Sequence, residues 1–276
     1  MNNTFDPLIN PICQALRREC YLVRGLLSSG ITALGNATAG NKEKYYLGFF
    51  NLSIGIERLS KLVLIVDSKI RQNQFLSEKE IRKYNHNISN LLETVFKIAK
   101  YHDLKLLYPY KKCIISDAIV SCLHCFADAN KGRYANIQAL DKQDSSIEFE
   151  PIRKWSEEVD KLILDYHWHK TPKSKKLNNI ATKIANQIND LSVFMWVNES
   201  GDKMNLEEIL SRTESNKVLF KYRIYYTLLI IRSVSEIFNE LSQKNYLREF
   251  VGLYEFFQGF CLHDSVLLKN KKWPVF

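Results

Sequence analysis

Arg82 and His86 stand four residues apart in the run Arg82-Lys-Tyr-Asn-His86. Histidine titrates near neutral pH and can act as a general acid or base. Arginine can hold a phosphate bidentately and offset its charge in a transition state. On a helix, a spacing of four puts both side chains on one face. Asn85 and Asn87 flank His86 and could hydrogen-bond a sugar or a base. The set suits phosphodiester chemistry. An exposed polar helix face is the other reading of the same pattern.

A second feature is positive charge. Residues 166–189 contain Lys170, Lys173, Lys175, Lys176 and Lys183 and no acidic residue. Lysines near a helix start oppose the helix dipole, so a use beyond solvation is expected, and binding a nucleic-acid backbone is the obvious one. Tyr166 and Trp168 lie close enough to stack on bases. The alternative is a solvated helix start. Two other clusters invite a metal reading. Cys122-Leu-His124-Cys125, with Cys113 and His102 upstream, supplies one Cys pair where structural zinc sites commonly use two. It lies in an apolar run, which favours core packing. His167 and His169 diverge on a helix and share a face only on an extended segment. No metal and no cofactor is expected.

These residues must be placed by helices. Ser77 and Glu80 form a Ser-x-x-Glu capping box. The helix it opens carries Ile81, Tyr84, Ile88, Leu91, Val95 and Ile98 on one apolar stripe, which predicts one continuous helix to about residue 101. Upstream, Leu52, Ile56, Leu59, Leu62, Val63 and Val66 give an apolar face to a helix over about 42–69. Asp6-Pro7 reads as the start of a first helix that runs to about residue 34, with a break at Pro11. Further helices are expected over 112–129, from Pro151 to about 166, and from Pro172 to about 197. The remaining ones are a short helix from Asn205, a long one over 216–241 and a last one over 246–262. Strand-like alternation is not sustained anywhere. The expected fold class is all-α. A helical bundle spans 1–130, an irregular linker or loop 131–150, and a C-terminal helical region 151–276, either separate or packed with the first as one unit.

Composition agrees. The 276 residues are 46% hydrophobic and 25% charged, which excludes a disordered or collagen-like chain. Only 10 Gly and 6 Pro occur, too few for the many turns of a β-rich fold. Thirty-nine basic against 30 acidic residues leave a net charge of +9, modest for this length. The first six residues lack the pattern of a secretory leader, and the apolar stretch 218–231 is interrupted by Lys221 and Arg223. A cytoplasmic protein with reduced cysteines and no membrane contact is expected. Gly-rich phosphate loops, His-Glu-x-x-His and Gly-x-Ser-x-Gly are absent from the sequence.

The run Asn51-Leu-Ser-Ile-Gly-Ile-Glu-Arg-Leu-Ser-Lys-Leu-Val-Leu64, followed after a loop by Lys83-Tyr-Asn-His-Asn-Ile-Ser-Asn-Leu-Leu92, resembles the HEPN superfamily. Glu57, Arg58 and Lys61 match a Glu-Arg-x-x-Lys-like stretch of that family, and His86, Leu91 and Leu92 a His followed by a Leu pair. The resemblance covers about residues 45–100. It implies a small helical bundle. It also implies a metal-independent ribonuclease of bacterial defence or toxin–antitoxin systems, acting as a homodimer whose two Arg–His motifs share a cleft. His86 would be the acid/base and Arg82 the phosphate clamp. Three residues separate the two here, a shorter spacing than the family's. Other HEPN domains lack the motif and bind RNA or protein. The alternative function is therefore a non-catalytic adaptor whose partner comes from a neighbouring gene, with Tyr254, Phe256, Phe257 and Phe260 as one face for it.

Overall fold

The computed structural model describes residues 6–128, 150–188, 195–244, 248–270 and 273. The fold is an all-α multi-helix bundle. Its helices, in chain order, are α1 (Pro11–Gly35), α2 (Glu43–Gln72), α3 (Glu78–Arg82), α4 (Ile88–Tyr101), α5 (Ile114–Ala127), α6 (Pro151–Trp155), α7 (Lys161–His167), α8 (Pro172–Ile188), α9 (Leu206–Gln243) and α10 (Asp264–Leu267). A π turn, Ser156–Asp160, joins α6 to α7. Among the described residues no strand forms, and one isolated bridge pairs Val197 with Lys203.

The α1–α2 pair is the base of the bundle. Asn10, rather than Asp6, caps α1, accepting the N–H groups of Ile12 and Cys13 ahead of Pro11. The two helices run antiparallel in very close contact. A Cβ built on Gly48 would lie 2.9 Å from the Leu34 Cβ and 3.2 Å from its backbone, so this crossing needs glycine. Leu52, Ile56, Leu59, Leu62, Val63 and Val66, the apolar face expected of α2, are all buried.

Four further element boundaries differ from those expected. The helix opened by Ser77 and Glu80 has its capping box but stops at Arg82. Asn85 turns left-handed at φ 42°, and Asn87 accepts the N–H of Asn90 to start α4. A short amide side chain that bonds to nearby backbone, as Asn87 does, competes with helix continuation, and Asn85 is a residue type that tolerates the left-handed turn. His86 therefore sits in a turn between two helices, not on a helix with Arg82. Next, the short helix from Asn205 and the long one over 216–241 are one 38-residue helix, α9, capped by Asn205. Third, the 246–262 region is not a helix. It is a series of 3-10 turns at Arg248–Phe250, Leu253–Phe256 and Gln258–Phe260, with Gly252 at φ 75°. Fourth, the chain beyond α8 is extended at Trp196–Val197, where a helix to 197 was expected.

α9 is the axis around which the rest packs. From Ile230 to Asn239 every residue is buried, as happens when a helix is covered all round. Its buried polar groups are partnered across the fold. Glu236 accepts the backbone N–H groups of Leu107 and Tyr108, the latter at 2.9 Å, which pins the α4–α5 connection. Arg223 makes the densest network. Its guanidinium donates twice to Asp160, to the Tyr45 hydroxyl at 2.6 Å and to the Ala37 carbonyl at 2.6 Å. Trp155 Nε1 donates to the same Asp160 at 2.9 Å. The Trp155 ring also lies 5.4 Å from Phe49, which lies 5.5 Å from Phe126. One core thus runs from Leu16 to Trp273 and takes residues from both sides of the expected linker. That linker, 131–150, lies outside the described residues except Glu150. Among the described residues, no helix is long and apolar enough to cross a membrane.

Candidate active site

Glu57 lies on the buried face of α2, and its carboxylate is shared. Lys61, one turn further on, donates to Oε1 at 2.6 Å, and His86 Nδ1 lies 2.9 Å from Oε2. Twenty-nine residues separate Glu57 from His86. The α3–α4 turn brings them together, because the left-handed Asn85 lets the chain drop His86 onto α2. An ionised carboxylate can only accept, so Nδ1 carries the proton and Nε2 is the basic nitrogen. The His86 side chain is 56% exposed while that of Glu57 is 9%. A buried orienting acid beneath an accessible imidazole is an arrangement compatible with general acid–base chemistry.

The same helix carries a second copy of this pattern. Asp67 takes Arg71 at 2.6 Å and His102 Nε2 at 2.7 Å. There the His102 side chain is only 9% exposed, and its carbonyl accepts from Lys244. That pair is nearly closed to solvent and ties the end of α4 to α2 and α9.

Arg82 is exposed and pairs with Glu78, its neighbour one turn back. It neither shares a helix with His86 nor contacts Glu57. Sequence reasoning named His86 but did not join it to Glu57 and Lys61. The Glu-Arg-x-x-Lys stretch was the available signal.

Lys170, Lys173, Lys175, Lys176 and Lys183 are all exposed, the first four around the start of α8 and Lys183 in its second half. Lys173 is held by Glu214 of α9, which also holds Lys217. Those two cations draw the Glu214 carboxyl down to about 2. Trp168 is 5% exposed, so its ring offers no open face for the stacking expected of it. Tyr166 beside it is 64% exposed. His167 stacks on Tyr222 with ring centroids 3.6 Å apart and bonds the Tyr226 hydroxyl at 2.8 Å. The aromatic surface next to the basic stretch is thus Tyr166, His167 and the α9 tyrosines.

Cys122 is buried in α5, where desolvation pushes its thiol well up. No group of three or more His, Cys, Asp or Glu able to hold a metal forms among the described residues. Phe257 and Phe260, half of the aromatic face expected for a partner, are fully buried core. Comparison with family models, with curated proteins and with solved structures finds no match to this chain.

Proposed function

We propose that this protein acts on RNA as a metal-independent endoribonuclease of the HEPN kind, in a bacterial defence or toxin–antitoxin setting. The observation that carries the reading is the Glu57–His86 pair with Lys61 beside it, since it unites the two stretches on which the resemblance rests. In this reading Glu57 holds Nδ1–H, and Nε2 takes the proton of a ribose 2′-hydroxyl. The 2′-oxygen attacks the adjacent phosphorus and the 5′-oxygen leaves, giving a 2′,3′-cyclic phosphate. Arg82 steadies the phosphate. Its pairing with Glu78 is between two exposed side chains, and such pairs contribute only about 0–1 kcal/mol, so a phosphate can displace the carboxylate. The His86 of a second copy supplies the proton to the leaving oxygen in a homodimer. The exposed lysines of α8 hold the flanking backbone.

The test uses purified protein and total RNA in EDTA. Wild type is expected to leave fragments ending in cyclic phosphate, and His86→Ala to leave the RNA intact. Intact RNA with wild type would remove the enzyme reading. A second reading, an adaptor without catalysis, is favoured by Leu22 on α1 and Leu47 and Phe50 on α2, which are exposed on the paired helices. It predicts stable association with a partner protein that His86→Ala leaves unchanged.

A further inference from the structure

Far from His86, a groove of about 670 Å³ opens between the end of α1, one stripe of α9 and the turn after α10. Its size falls within the range of about 300–1,000 Å³ typical of small-ligand sites. Three lysines line it, Lys217, Lys221 and Lys269, and among the described residues no Asp or Glu does. On α9 the lining residues are Thr213, Asn216, Lys217, Phe220 and Lys221. That spacing is the stripe a helix ordinarily turns toward its core. Here it carries amide, hydroxyl and ammonium groups around one aromatic ring, and it faces open space.

The charge is not cancelled locally. Glu214 holds Lys217, but it is shared with Lys173, so that trio keeps one net positive charge. Lys221 lies over the Tyr222 ring at 5.4 Å, and neither it nor Lys269 has an ion-pair partner among the described residues. Lys217 and Lys221 are like charges one turn apart, which is unfavourable unless an anion sits between them. On the same α9 stripe Thr213 and Asn216, and after α10 Asn270, have no hydrogen-bonded side-chain partner among the described residues. Asn36 donates its side-chain N–H to the Thr32 carbonyl, and its Oδ1 accepts from no group among the described residues. The α1 end is a carbonyl end, where donors are welcome and anions are not.

We infer that this groove binds a nucleoside phosphate, with the phosphate on Lys217, Lys221 and Lys269 and the base against Phe220, read by the amides of Asn216 and Asn270. Ammonium groups are point charges suited to phosphate oxygens. Amides carry both donor and acceptor and so match a base edge. A simple anion would leave the ring and the amides without a partner.

The site is separate from the Glu57–His86 pair and does not rest on the ribonuclease reading. Glu19, which pairs with Arg58 beside Glu57, and Gly35, at the groove, are sixteen residues apart on α1, about 24 Å at 1.5 Å per residue. The nucleotide could be free or the end of an RNA, and the assay distinguishes these.

Titration calorimetry of the full chain with the four nucleoside 5′-monophosphates and triphosphates is the experiment, with adenosine and inorganic pyrophosphate as comparison probes. At least one nucleotide is expected to bind tenfold or more tightly than either comparison probe. Lys221→Glu with Lys269→Glu should weaken it tenfold or more, both lysines being exposed and the circular dichroism unchanged. Asn216→Ala should weaken the nucleotide but not pyrophosphate, and His86→Ala should change neither. A 5′-phosphorylated oligonucleotide that outcompetes the free nucleotide assigns the groove to an RNA end. The reverse order assigns it to a small molecule. Absence of binding at millimolar nucleotide, pyrophosphate binding as tightly as any nucleotide, or unchanged binding by the doubly charge-reversed protein would overturn the inference.

Discussion

Glu57 and Asp67 lie ten residues apart on α2, and each holds a histidine and a cation one turn on. Exposure separates their roles: the His86 side chain is 56% open and that of His102 9%. Glu57→Gln keeps the shape of the first pair and removes the charge that fixes Nδ1–H. Cleavage of RNA should fall about 100- to 10,000-fold for His86→Ala, the usual range for a lost acid–base group, and substantially for Glu57→Gln. His86→Ala should leave unfolding free energy within about 1 kcal/mol, as expected at an exposed turn. His102→Ala, by contrast, should destabilise the chain. A pH effect belongs to His167. Desolvation, helped by Lys221, holds it below the ordinary 6.5. The folded chain therefore binds that proton less readily than the unfolded one. Its contribution to stability is complete above the unfolded value and is lost as pH falls through the lower folded value. Denaturant midpoints of wild type and His167→Phe should diverge as pH drops from about 7.5 to 5, with wild type losing more. Parallel curves would contradict this. At this scale the sequence showed His86 and Arg82 as chemically capable. It did not show which groups meet, because Asn85 acts through a left-handed turn and Asn87 through a cap bond to the Asn90 N–H, and helical periodicity ignores both.

Helix contacts set where those residues go, and glycines report on them with opposite signs. Gly48 has Leu34 within van der Waals distance, whereas nothing lies within 4 Å of a Cβ on Gly25. Gly48→Ala should destabilise the protein by about 1–3 kcal/mol through overpacking. Gly25→Ala, on the outer face of α1, should stabilise it by up to about 1 kcal/mol. Chemical denaturation of both variants checks the α1–α2 crossing, and loss of stability by Gly25→Ala would count against it. The exposed lysines of α8 make a separate forecast. RNA affinity should fall linearly with salt on a log–log plot, and reversing Lys175 and Lys176 should flatten the slope, by about 0.7 per lost single-strand phosphate contact. An unchanged slope would make the stretch a solvated face. The amphipathic stripes of α2 and α4 were legible because each has one dry side. The C-terminal region was not, since its aromatic spacing imitates a helix while Gly252 and the burial of Phe250, Phe257 and Phe260 fold it into turns.

Across the whole molecule, Arg223 and Asp160 join α9, the π turn, α2 through Tyr45 and the end of α1 through Ala37. Both are buried, so removing one charge leaves the other uncompensated. Asp160→Asn should cost about 3–5 kcal/mol and lower the thermal midpoint of the entire chain in one transition. Separate transitions for the two sides of the linker would contradict the shared core. The all-α class was readable from the scarcity of Gly and Pro and from the helical stripes. The unity of the core was not, because Arg223 and Lys221 looked like interruptions of an apolar run, and only packing reveals that one is a buried anchor and the other a groove cation.

The most direct test of the account is RNA cleavage in EDTA by wild type, His86→Ala, Glu57→Gln and the double variant. If Glu57 works only through His86, each single change impairs cleavage, the double variant is no worse than His86→Ala, and wild-type products end in 2′,3′-cyclic phosphate. RNA left intact by the wild-type protein, or cleaved as fast by His86→Ala, would contradict it.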